Sequence, residues 1–171
     1  MNERKGAATA GGNPLTLLGN ELKVGDKAPG FEATGNDMQP FSFSELAGKI
    51  VIISAVTSLD TSVCDVETRR FNTEAGKLGD EIAILTISMD LPFAQKRWCG
   101  AAGVDQVQVV SDYKTAEFGE KYGVLIKELH LHARTLFVVD RDGIVRYVQR
   151  VVENSNEPDY EAVLAAAKEL L

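Results

Sequence analysis

Two apolar patterns alternate along this chain: short unbroken runs, and longer stretches in which apolar positions return every three or four residues. Lys49 to Val56 (KIVIISAV) is a run rich in β-branched residues. Its length suits a strand buried on both faces, as in a parallel sheet covered by helices. SLDTS follows, a set of turn- and cap-forming residues. Cys64, Thr68, Phe71, Ala75 and Leu78 then fall on one helical stripe. Glu81 to Ser88 (EIAILTIS) repeats the buried-strand pattern, so the three segments predict a βαβ crossover with neighbouring parallel strands.

The remaining pattern is weaker but continuous. Pro92 can open a helix running to about Gly100. Val107 to Val110 predicts a short strand and Thr115 to Tyr122 a short helix. Thr135 to Val152 reads as a hairpin around Arg141-Asp142-Gly143, and Asp159 to Leu171 as a closing helix. Upstream, PLTLLGNELKV (Pro14 to Val24) predicts a hairpin around Gly19-Asn20, with a strand near Phe31 and a helical turn at Ser44 to Ala47. Residues 1–13, Gly/Ala-rich and polar, read as a flexible arm, which leaves 14–171 as one domain.

Charge and length narrow the function. The net charge of −7 and a pI near 4.9 argue against nucleic acid and anionic membranes as partners, since both select a basic face. No run approaches the roughly 20 apolar residues of a membrane span, and the N-terminus lacks a signal-peptide core. These features predict a cytoplasmic setting, where two cysteines are not a structural disulfide framework.

Cys64 is the first chemical candidate. A cysteine in the first turn of a helix lies beside unpaired amides and the positive end of the helix dipole, both of which favour thiolate. A small buried hydrophobe is the plainer alternative. Thr61, three residues earlier, has a hydroxyl that can accept from the thiol or an amide and donate toward a bound oxygen. As an ordinary N-cap it would contribute about 1 kcal/mol. Asp60, Asp65 and Glu67 oppose a thiolate if they face it, so a cation from elsewhere is required. His130 and His132 alternate and would share a strand face, but no further ligand completes a metal site.

Asp60-Thr61-Ser62-Val63-Cys64, with Arg69-Arg70-Phe71-Asn72, resembles the active-site loop and helix of the peroxiredoxins called thiol peroxidases. SMDLPFAQKRWCGAAG (Ser88 to Gly103) is similar to the part of those enzymes that holds the second redox cysteine. The likeness continues through FGEKYGV, the strand with Arg134 and EPDYEAVLAAAK, and covers most of the chain from about Pro14. The resemblance implies an α/β thioredoxin-like fold: a central mixed β-sheet flanked by helices, with an N-terminal β-hairpin. It implies Cys64 as nucleophile, Thr61 and Arg134 as peroxide-binding groups, and Cys99 as the resolving cysteine of an intramolecular disulfide. Thioredoxin as reductant, hydrogen peroxide and alkyl hydroperoxides as substrates, a homodimer, and no metal or organic cofactor follow from the same likeness. Phe93 is expected to line an apolar substrate pocket. Thr57 stands seven residues before Cys64, where these enzymes usually carry proline. A hydroxyl and an N–H at that substrate-side position leave a second reading open, a thioredoxin-fold binding protein with weakened or lost peroxidase activity.

Overall fold

The computed structural model describes every residue, Met1–Leu171. At its centre β5 (Ile50–Ala55) lies parallel to β6 (Ile82–Ser88), and β6 parallel to β7 (Gln108–Ser111). α1 (Ser62–Leu78) makes the crossover between the first two strands, as the apolar runs predict. β10 (Thr135–Val139) joins β5 antiparallel, and β11 (Val145–Arg150) forms the outer edge. β3 (Glu32–Gly35) and β4 (Pro40–Ser42) complete the other edge, giving the order β11-β10-β5-β6-β7-β3-β4. The sheet is therefore mixed.

Every residue of β5 is buried because each face has its own core. Val51, Ile53 and Ala55 pack with Phe31, Phe41, Phe118 and Tyr122. Ile50 and Ile52 pack on the opposite face with Cys64 and Phe71 of α1, Trp98 of α2 (Pro92–Ala102), and Val163 of α4 (Tyr160–Lys168). The short α3 (Glu117–Lys121) supplies Phe118 to the first core.

Two N-terminal expectations need correction. Residues 1–13 are not a flexible arm, because Glu3–Ala10 forms β1 and pairs antiparallel with β2 (Asn13–Leu18). The hairpin turn is Gly11-Gly12, both with positive φ, rather than Gly19-Asn20. Gly19 serves a close approach instead: a Cβ there would lie 2.1 Å from the Glu120 carbonyl oxygen. β2 continues into a second small sheet with β8 (Leu125–Ile126) and β9 (Leu131–His132).

The hairpin is tied to the segment after β11. Thr9 N–H donates to the Val152 carbonyl, and Asn154 N–H donates to the Thr9 carbonyl, each at 2.7 Å. The Glu153 carboxylate accepts from Ser155 Oγ and N–H, from Gly12 N–H at 2.8 Å and from Thr9 Oγ1 at 3.1 Å. These bonds, those from Ser155 foremost, pull its carboxyl down to about 2. A carboxyl depressed on folding stabilises above its unfolded value of about 4.3 and ceases to as pH falls through the folded value. The Gly12 and Ser155 amide resonances are accordingly expected to titrate together with a midpoint near 2. Glu153→Gln should remove that transition.

Candidate active site

The site forms where the C-terminal end of β5 meets the first turn of α1. Cys64 is fully buried, on the α1 face turned toward the sheet. Thr135 pairs with Ala55 in the β10–β5 register, so Arg134, one residue earlier, stands beside Val56 and the loop that leads to Cys64. Its Nη1 donates to Cys64 Sγ at 3.2 Å across 70 residues of sequence. The guanidinium is only 2 % exposed. A charged N–H donor at that distance hydrogen-bonds the sulfur directly.

The acidic neighbours separate into different roles. Asp65 turns away: its carboxylate accepts from Arg69 Nε at 2.6 Å and Trp98 Nε1 at 2.9 Å, and the Arg69 bond foremost holds it below the usual carboxylate range. Asp60 is exposed. Glu67 is fully buried one turn after Cys64, accepting from Arg134 Nη1 at 2.5 Å and Ser54 Oγ at 3.1 Å. Burial pushes its carboxyl upward, opposed by the Arg134 charge and these hydrogen bonds. For Arg134, burial opposes the charge, yet Glu67 and Cys64 hold the guanidinium more firmly protonated than usual. Glu67, read from sequence as opposing a thiolate if it faced it, also fixes the cation beside the sulfur. The i, i+3 spacing to Cys64 is the signal that could have placed it on the same face.

Thr61 sits at the N-cap in extended backbone but makes no side-chain cap. Its hydroxyl donates to the Ser58 carbonyl at 2.7 Å, and the helix begins with Asp65 N–H donating to the Thr61 carbonyl. Asp90 holds this loop from across the sheet, accepting from Ser58 Oγ at 2.7 Å and Leu59 N–H at 2.9 Å. The Asp90-Leu91-Pro92-Phe93 segment therefore braces the loop as well as opening α2, which the sequence did not reveal.

Three of the expected site residues make no hydrogen bond to the sulfur. Thr57, expected on the substrate side, is buried; its hydroxyl donates to the His132 carbonyl at 2.9 Å and accepts from Asn154 Nδ2 at 2.7 Å. Phe93 is 66 % exposed in the first turn of α2. Cys99 is a half-buried free thiol on α2, 4.0 Å from Asn36 Nδ2, and burial pushes it above an ordinary thiol. The two histidines do not share a face: His130 adopts a positive φ, while His132 is buried on Asp112 at 2.9 Å.

A family model described as Redoxin matches residues 23–164. The chain belongs to the Redoxin family. This redoxin is 52% identical over 160 residues to the thiol peroxidase of Bacillus subtilis, covering 94% of this chain and 95% of that protein. It is 55% identical over 153 residues to the thiol peroxidase of Oceanobacillus iheyensis, covering 90% and 93%. A peroxiredoxin-like protein from Aquifex aeolicus superposes with a TM-score of 0.92 at 38% identity over the whole of both chains. A thiol peroxidase from Chromobacterium violaceum, at 18% identity, shares the fold with a TM-score of 0.84 over 95% of each chain. These likenesses support the peroxiredoxin-type fold and a thiol-dependent peroxidase function, and they do not favour the binding-only reading.

Proposed function

We propose that this redoxin reduces hydrogen peroxide and alkyl hydroperoxides through Cys64, and that Cys99 closes a catalytic disulfide with it. The contact between Arg134 Nη1 and Cys64 Sγ is the observation that carries this reading. The Cys64 thiolate attacks the nearer peroxide oxygen and the O–O bond breaks. The electron pair leaves on the far oxygen, which takes a proton and departs as water or alcohol, while sulfur becomes a sulfenic acid. Arg134 and Thr61 bind the peroxide: the Thr61 hydroxyl, its own proton on the Ser58 carbonyl, accepts from the peroxide O–H, and the guanidinium carries the charge that develops on the leaving oxygen. Phe93 offers an apolar surface to the organic part of an alkyl hydroperoxide.

The Cys99 thiol then displaces water from the sulfenic acid, forming the S–S bond. Bridging requires Cα atoms within about 7 Å, and local unwinding of α2 would let Cys99 reach that separation wherever it starts beyond it. Of the eleven residues of α2, only Pro92 and Gln95 are buried, with Trp98, Cys99 and Ala102 partly buried against the core, so the helix costs less to open than α1 or the central strands. A thioredoxin-type dithiol returns both electrons, in the reducing cytoplasm where such reductants operate. Sulfur carries the whole redox change, so no metal or organic cofactor enters, and the active species is a homodimer.

One equivalent of peroxide should cost the protein two hydrogens in an intact mass spectrum and yield a linked Cys64–Cys99 peptide. In Cys99→Ser the first oxidation should proceed at wild-type rate, but sulfenic acid should persist and turnover with thioredoxin should stop. A Cys99→Ser variant that still cycles with thioredoxin would remove Cys99 from the mechanism.

A further inference from the structure

We propose that Asn154 and Thr57 are positioning residues that aim the Arg134 guanidinium at the Cys64 sulfur; this rests on the reading of Cys64 as the nucleophile. A guanidinium has five N–H donors in a rigid plane. Along one edge of Arg134, Nε and Nη2 both donate to a single acceptor, the Asn154 carbonyl, at 3.2 and 2.8 Å. That edge is thereby fixed, and Nη1 is left to face Cys64 Sγ and Glu67. The direction in which Nη1 points is thus set by where the residue-154 carbonyl stands.

Asn154 is only 9 % exposed, and each of its polar groups is engaged. Its Oδ1 accepts from Arg134 N–H at 2.8 Å and its Nδ2 donates to Thr57 Oγ1 at 2.7 Å. Its own N–H is held by the Thr9 carbonyl of the N-terminal hairpin. Thr57 completes the frame, its hydroxyl proton committed to the His132 carbonyl. The hydroxyl therefore accepts from Asn154 while donating to the strand that leads into Arg134, and it has no proton left for a peroxide. Thr57 follows β5 and Asn154 follows β11, so the two sides of the sheet that flank Arg134 are locked together by one buried hydrogen bond.

The charged groups that face this assembly are few. Glu67 comes from α1 beside the sulfur, while Glu157 acts electrostatically on Glu67, and Tyr160 of α4 feels the charges of both Glu67 and Arg134. Asp65 is occupied with Arg69 and Trp98. A loss of aim by Arg134 is consequently not made good by another cation from these elements, and it should appear as a weaker thiolate.

The test is the pH dependence of Cys64 alkylation by iodoacetamide in the otherwise intact chain, read peptide by peptide so that Cys64 and Cys99 are scored separately. Thr57→Val keeps the shape and removes the hydroxyl; Asn154→Ala removes both side-chain bonds. Each is expected to move the midpoint for Cys64 upward by about one pH unit, which means roughly tenfold less thiolate below the midpoint. Peroxide oxidation at a fixed pH below it should slow by about the same factor. The double variant should fall short of the sum of the two shifts, because both remove the same bond. Thr57→Ser should restore the wild-type midpoint. If the variants lower only the thermal midpoint and leave the alkylation profile unmoved, the two residues serve packing alone and the proposal is overturned. Asn154→Ala reports independently should Thr57→Val not fold. A wild-type profile in which Cys64 ionises no more readily than Cys99 would overturn the proposal together with the nucleophile assignment beneath it, whatever the variants do.

Discussion

Cys64→Ser is expected to abolish peroxide turnover, leaving a rate indistinguishable from the uncatalysed reaction of the reductant. The reason lies in the atom replaced. A hydroxyl is a far weaker acid than a thiol, so Arg134 cannot hold it ionised near neutral pH. Oxygen attacking a peroxide oxygen would only form another O–O bond and reduce nothing. Cys99 cannot take over, since burial pushes its thiol upward and its nearest polar partner is the neutral Asn36 amide. The fold should survive the change, because a serine hydroxyl at a fully buried site can still accept from Arg134. Stopped-flow consumption of hydrogen peroxide and far-ultraviolet circular dichroism on the same sample check both halves. Full turnover by a folded Cys64→Ser protein would end the assignment.

The parts of the fold that sequence made legible are those in which burial alone dictates the pattern. β5 has a core on each face, so its residues had to be apolar throughout, and the run stood out. β1 offered no such signal. It is made of small and polar residues, buries little apart from Ala8, and is held by backbone pairing and by links to Val152, Glu153 and Asn154. Gly19-Asn20 resembled a hairpin turn because glycine also marks places where two backbones touch, and composition cannot tell the two uses apart.

At the site the same division holds. Cys64 and Arg134 were marked by motifs, and the structure brings them within 3.2 Å of each other. Glu67 was visible, but a carboxylate in sequence carries no sign of whether a cation meets it. Asn154 was invisible: it sits in no motif, and its importance comes from a carbonyl whose position depends on β1, β10 and the loop after β5 together. Thr57 was noticed only as a departure from a family pattern, and its partner 97 residues away explains what the hydroxyl does.

Arg134→Met is the second large effect, and it separates two roles of one side chain. Methionine fills much of the same volume without charge. The sulfur loses its only charged donor at 3.2 Å, and peroxide loses a group aimed at the leaving oxygen. Removing such a donor costs about 10² to 10³ in rate. Glu67 meanwhile stays buried with Ser54 alone, and breaking a buried pair from one side costs about 3–5 kcal/mol. Against a typical domain stability of about 5–15 kcal/mol, that is a large loss. Burial already pushes the Glu67 carboxyl upward, and without Arg134 nothing of comparable strength opposes it. The folded variant then binds more protons than the unfolded chain above the unfolded carboxyl value of about 4.3. Its stability should therefore fall as pH rises through the window above that value. Adding Glu67→Gln to Arg134→Met removes the stranded charge. Denaturant melts of the double variant should regain most of the lost stability and lose the pH slope, while peroxide turnover stays at the level of Arg134→Met. Recovery of both together would mean that Arg134 matters to this redoxin only as Glu67's counter-ion, and that the sulfur is activated by the helix terminus without it.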